Sequence, residues 1–126
     1  MQNITPNMEN SSPVIQSYGP AGFRIGGVDY ISSVLVTPDA VTKVDLQSIE
    51  QLTAELFAPL TTLHPPLEAL LIGTGAKHAF LATDLRAQLK AQGLNPDAMA
   101  TGAACRTFNI LLSEDRRVAT LLLLPQ

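Results

Sequence analysis

The chain has 126 residues, of which 46% are hydrophobic and 15% charged, with a net charge of −3. That is enough chain and enough apolar surface for one domain with a real core, and with 5% aromatics and no Trp the core must be aliphatic. The densest basic pair is Arg116-Arg117 and the aromatic residues are few, which argues against both phosphate-backbone binding and a base-stacking platform.

A single cysteine forms no internal disulfide and fits a reducing compartment. The first 13 residues, rich in Asn, Ser and Pro, are expected to be a tail outside the domain. They carry no Lys, Arg or apolar core of a signal peptide. The longest apolar run, near residues 119–124, is far shorter than the roughly 20 residues of a membrane span. A cytoplasmic protein without a membrane span is the resulting expectation.

Residues 14–18 read as a strand broken by Gly19-Pro20. Residues 23–25 and 28–36 read as a hairpin around Gly26-Gly27, a pair that supplies the positive φ of a tight turn. Alternation sets Tyr30, Ser32, Val34 and Val36 on one face and Ile31, Ser33 and Leu35 on the other. Pro38 is expected to end that strand. Asp45 then reads as an N-cap, and Leu46, Ile49, Leu52, Leu56 and Leu60 recur at helical spacing, so a helix is predicted over 46–58, stopping at Pro59. The apolar run ended by Gly73-Thr74-Gly75 predicts a buried strand. Thr83 is placed to cap a second helix that closes at Gly93. Residues 94–99 fit a short strand or an extended segment, residues 101–114 a third helix, and 117–124 a strand buried on both faces. The expected fold class is α/β (mixed α+β). It is a single three-layer domain over residues 14–126, with a central mixed sheet, an N-terminal antiparallel hairpin and about three packed helices.

Two stretches invite a functional reading. Gly73-Thr74-Gly75 follows a strand, but His78 stands where a dinucleotide fingerprint needs its third small residue, and no Gly-Lys-Ser/Thr follows. What remains is a tight turn, or a run of free amides able to take a carboxylate or phosphate. In the third helix, Thr101 is placed as N-cap, while Ala104, Phe108, Leu111 and Leu112 form the core face. Arg106 and Asn109 neighbour each other on another face. A cation in the first turns opposes the helix dipole, so Arg106 calls for an anionic partner, either a carboxylate of the chain or something bound. Cys105 is the only candidate thiol nucleophile, with His64 and His78 the only bases, neither placed by a motif. No metal set and no paired carboxylates are legible, and no cofactor is expected.

The ordered blocks GFRIGGVDYISSVLVTPD, ALLIGTGAKHAFL, LRAQLKAQG and TGAACRTFNILLSEDRRVATLLL resemble an uncharacterised small-domain family. Its prototype is an archaeal hypothetical protein, and its relatives include many bacterial proteins and a mitochondrial assembly factor of respiratory complex I. The resemblance spans about residues 14–124. It implies a compact three-layer domain around a mixed sheet. Its characteristic positions fall on Gly73, Thr74, Gly75, Thr101, Ala104, Arg106, Thr107 and Asn109, with Phe108 standing where a tyrosine is usual. The tail does not resemble the mitochondrial relative's targeting segment, so the resemblance implies no complex I role for this chain. Two functions follow as expectations. The first is a non-enzymatic interaction or assembly protein with a protein partner. The second is a small-anion-binding domain or small enzyme using a cleft between Gly73–Gly75 and the helix start, lined by Gly73, Thr74, Gly75, Thr101, Arg106, Thr107 and Asn109.

Overall fold

The computed structural model describes residues 12–125. The tail expected over residues 1–13 lies outside them, its last two positions excepted. Strands β1 (Ile15–Gly19), β2 (Gly22–Ile25) and β3 (Val28–Tyr30) form an antiparallel sheet in that order. Gly26 and Gly27, at φ 57° and 85°, make the β2–β3 turn that their sequence predicts.

The second sheet is mixed and holds five strands: β4 (Ser33–Val36), β5 (Val41–Val44), β6 (Ala69–Gly73), β7 (Pro96–Met99) and β8 (Val118–Leu122). Its spatial order is β5-β4-β8-β6-β7, with β6 parallel to both β8 and β7, and β4 antiparallel to β8 and β5. Helix α1 (Thr83–Ala91) links β6 to β7, and α2 (Thr101–Ser113) carries the chain from β7 back past β6 to β8.

The central sheet divides the apolar interior into two layers. On one face Leu35, Val44, Leu70, Ile72 and Leu121 meet Leu85 and Leu89 of α1, together with Phe57 and Leu60. On the other, Val34, Val36, Leu71 and Leu122 meet Ala104, Cys105 and Phe108 of α2 and Ile15, Phe23 and Ile25 of the three-stranded sheet. All five residues of β8 are buried, as an apolar run without alternation requires of a strand covered on both sides. The fold class is the expected one: helices and a small antiparallel sheet packed on a central mixed sheet.

Two local expectations are corrected, the strand over 28–36 and the helix over 46–58. The strand predicted over 28–36 is two strands in different sheets, parted at Ile31-Ser32, and Ile31 is 83% exposed. Pro38 ends the strand as expected, since β4 stops at Val36, and it sits in the tight turn that leads to β5. The Thr37 amide donates to the Ala40 carbonyl (2.8 Å), the Thr37 hydroxyl accepts from the Ala40 amide (3.1 Å), and β5 follows. The helix predicted over 46–58 is two 3-10 helices, Ile49–Gln51 and Ala54–Thr62. Asp45 caps neither. Instead, the Gln51 side chain accepts from the amides of Gln47 (2.7 Å) and Ser48 (3.1 Å), and Thr53 in extended conformation separates the two pieces. The apolar periodicity was nonetheless informative, because Leu46, Ile49, Leu52, Leu56 and Leu60 all pack into the same core. Pro59 lies inside the longer 3-10 helix rather than ending it.

Candidate functional site

The two crossover helices lie on opposite faces of the central sheet: α1 packs in one core layer and α2 in the other. The loops that leave the carboxyl ends of the adjacent strands β6 and β7 therefore diverge, and a crevice opens between them, as it does in open α/β sheets. It is a cleft of about 420 Å³. Gly75 and Ala76 after β6, Ala100, Gly102 and Ala103 at the start of α2, and Pro125 after β8 line one part of it. Tyr18, Gly19 and Pro20, where β1 turns into β2, line another, and Arg106 completes the wall.

The helix start is tied down by three hydrogen bonds to two partners. The Thr101 hydroxyl accepts from the Gly75 amide (2.9 Å) and donates to the Leu123 carbonyl (2.7 Å), while the Thr101 amide donates to the Gly75 carbonyl (2.8 Å). Thr101 is fully buried and belongs to the first turn; the helix cap is Ala100, which makes no side-chain bond. The capping role predicted for Thr101 is thus corrected: its hydroxyl joins two strand ends to the helix instead. Thr83 likewise begins α1 without capping it, and Ala82 occupies the cap. A Cβ on Gly73 would stand 3.0 Å from both Cα and Oγ1 of Thr101, so glycine is what lets helix and strand approach this closely. Gly75 needs its freedom for a different reason, a φ of 110°.

Arg106 is exposed, and its Nη1 donates to the Tyr18 hydroxyl at 2.6 Å. The ion pairs among the described residues are Arg24–Asp29 and Arg116–Glu68, and neither includes it. The guanidinium and phenol close over Gly102, where an added Cβ would meet the tyrosine ring at 3.0 Å and Arg106 Nη1 at 3.4 Å. The tyrosine hydroxyl orients the arginine through this hydrogen bond.

Of the residues singled out in the sequence, Gly75 and Arg106 line the cleft. Gly73 and Thr101 lie beneath it as its buried support. The Thr74 hydroxyl accepts from the Ala79 amide (3.1 Å) and lies 2.7 Å from the Lys77 carbonyl, fixing the loop from within. Asn109 reaches away from the cleft. Its Oδ1 accepts from the Ile15 amide and its Nδ2 donates to the Ile15 carbonyl, both at 2.9 Å, as a neighbouring strand would. Thr107 is half-buried and does not line the cleft. Cys105 is 1% exposed, and burial pushes its thiol up to about 12 against the weaker pull of Arg106. The environment thus opposes thiolate formation, contrary to the activated thiol that a helix start and an arginine suggest. Tyr18 is the residue that sequence reading missed. Its one signal is the Tyr-Gly-Pro strand end, which marks a turn but not where the turn lands.

Among the described residues, no group of three or more His, Cys, Asp or Glu is placed to hold a metal ion. None of the described helices is long and apolar enough to cross a membrane.

Residues 15–123 match the family described as protein of unknown function (DUF498/DUF598), and the chain belongs to that family. It is 34% identical over 123 residues to NADH dehydrogenase (ubiquinone) 1 alpha subcomplex assembly factor 3 of Danio rerio, covering 98% of this chain and 71% of that protein. An uncharacterised protein of Rhodobacter capsulatus is 36% identical over 109 residues, covering 86% of this chain and 82% of the other. A solved structure described as an outer membrane protein from Bartonella henselae superposes with a TM-score of 0.80 at 36% identity, covering 94% of this chain and 97% of that one.

Proposed function

We propose that this member of the DUF498/DUF598 family is a protein-interaction domain of the assembly-factor kind, acting through contacts rather than catalysis. The observation that carries the reading is the identity to the Danio rerio assembly factor, which runs through 98% of this chain. Supporting it, the loop between β6 and α1 holds Phe80 outward at 84% exposure, its ring edge-on to His78, and α2 presents Ile110 at 58%. Large apolar groups held in water cost free energy that a contact surface recovers. Residues 14–126 act as one domain in this reading, and the cytoplasm is its place of action. Pull-down from native lysate is expected to recover a reproducible partner that Phe80→Ser or Ile110→Ser loses while the melting temperature holds. Repeated recovery of no partner would sink the proposal.

A second reading is favoured by one observation, the absence of a carboxylate partner for Arg106 among the described residues beside an open cleft. Here the cleft takes a small anion: the Arg106 guanidinium supplies charge, Tyr18 holds it in place, and the loop at Gly75 and Ala76 forms the opposite wall. Ligand that binds only the native state raises the melting temperature with concentration. Phosphate, sulfate and acetate are the probes. A rise that Arg106→Gln removes supports this reading. No rise at millimolar anion, or an equal rise in the variant, ends it.

A further inference from the structure

The central sheet has two edges, β5 and β7. Strand β7 opens with Pro96, which has no amide to offer a further strand. In the small sheet, the Ile15 backbone of β1 is occupied by the Asn109 side chain. Strand β5 has neither device.

The hydrogen bonds of β5 can be assigned from its turn. Thr37 and Ala40 form a bonded pair, so by alternation Leu35–Thr42 and Ser33–Val44 are bonded pairs too. Thr42 and Val44 therefore spend their backbone groups on β4, whereas those of Val41 and Lys43, and of Asp45 just beyond, point out of the sheet. Lys43 and Asp45 are exposed, and neither takes part in an ion pair among the described residues.

Charge decides what such an edge accepts. A lysine on an edge usually deters pairing, because a copy of the strand sets lysine against lysine. In antiparallel self-pairing the outward groups of Val41, Lys43 and Asp45 must oppose one another, which leaves few registers. Centring the pair on Lys43 opposes two lysines. Centring it on Val41 opposes Lys43 to Asp39, which lies in the Thr37–Ala40 turn outside the strand. Centring it on Thr42 opposes Asp39 to Asp45, and centring it on Asp45 opposes two aspartates. Centring it on Val44 opposes Lys43 to Asp45 twice, once on each side of the axis. That register also brings Leu46 of the second copy opposite Thr42. Thr42 lines a mostly apolar groove of about 460 Å³ together with Leu56, Pro59, Leu60 and Leu63, and Lys43 and Asp45 border the same groove.

We propose that the free edge of β5 is a self-association surface. A second copy of this chain adds antiparallel across a two-fold axis at Val44, joining two five-stranded sheets into one, with Lys43 of each copy paired to Asp45 of the other. The interaction rests on no part of the assembly-factor reading or of the cleft, which lies at the carboxyl ends of β6 to β8.

The test is sedimentation equilibrium of the full chain at rising concentration, up to millimolar. The wild type is expected to pass from monomer to dimer. Lys43→Asp and Asp45→Lys each turn two attractive cross-strand pairs into repulsive ones, and each is expected to weaken the dimer by about tenfold or more. The double variant Lys43→Asp/Asp45→Lys restores the pairs with reversed sign and is expected to recover wild-type association. Both positions are exposed, and far-UV circular dichroism checks that each variant is folded. A wild type still monomeric at millimolar concentration overturns the proposal. So does a dimer indifferent to the single changes, or one that the double change fails to restore.

Discussion

Replacing Thr101 with valine tests the central structural inference, that one buried hydroxyl holds α2 to the ends of β6 and β8. Valine keeps the shape and the β-branch, so the cavity is unchanged and only hydrogen bonding is lost. The Gly75 amide then loses its acceptor and the Leu123 carbonyl its donor, at a residue with no solvent exposure. Each buried backbone group left unpaired costs about 1–3 kcal/mol, so a total loss of about 2–4 kcal/mol is expected once the helix start relaxes somewhat. An unfolding entropy of about 2.1 cal/mol/K per residue over 126 residues converts this to a fall of about 8–15 °C in melting temperature. Urea unfolding followed by far-UV circular dichroism measures the loss, with an unchanged slope confirming that the same surface is exposed. Thr101→Ser is the control: it keeps the oxygen and deletes one methyl, for a loss of about 1 kcal/mol. A valine variant within about 0.5 kcal/mol of wild type, or a serine variant less stable than valine, would refute the reasoning.

Gly73→Ala places a Cβ 3.0 Å from the Thr101 backbone and 3.2 Å from Leu122 Cδ2. Since neither the helix start nor the buried leucine can swing aside, a loss of about 1–3 kcal/mol is expected, with amide chemical-shift changes concentrated at residues 101–104. Asn109→Leu removes both bonds to Ile15 and is expected to cost about 1–3 kcal/mol. Hydrogen exchange at Ile15 should rise more than at Leu71, and equal change at both would contradict the clamp. Cys105 is expected to alkylate slowly in native protein at neutral pH, and rapid labelling would show that its thiol is not held buried. Its proton is held more tightly in the fold (about 12) than at the ordinary 9.0. Its contribution to stability is therefore whole below pH 9.0 and is lost as pH rises toward 12, a decline that Cys105→Ala should lessen.

Segments whose burial is uniform were legible without the fold. The run from Val118 to Leu122 is apolar at every position and lies in the middle of the sheet, and the stripe of Ala104, Phe108, Leu111 and Leu112 faces the core it predicts. Local chemistry also spoke plainly at Gly26-Gly27, because a tight turn is decided by the residues within it. Helix type over residues 46–58 was not legible. The same leucines satisfy an α-helical stripe and a pair of 3-10 turns, and Gln51 and Thr53 settle the choice through bonds and backbone angles that periodicity does not encode.

The candidate site divides the same way. Sequence alone marked Arg106, with Asn109 and Thr107 beside it, as residues without a packing explanation, and left Gly75 between a tight turn and an anion-binding loop. It could not say what answers them. Thr101 read as a cap because caps are local, yet its partners lie 26 and 22 residues away. Asn109 read as a cleft residue because it neighbours Arg106 on the helix, yet it turns to a strand 94 residues earlier. Tyr18 meets Arg106 across 88 residues, at a cleft that exists only because α1 and α2 leave adjacent strands toward opposite faces. Composition and spacing determine what each segment must bury. Which polar groups then meet depends on the order of strands in the sheet, and that order is set by the whole chain at once.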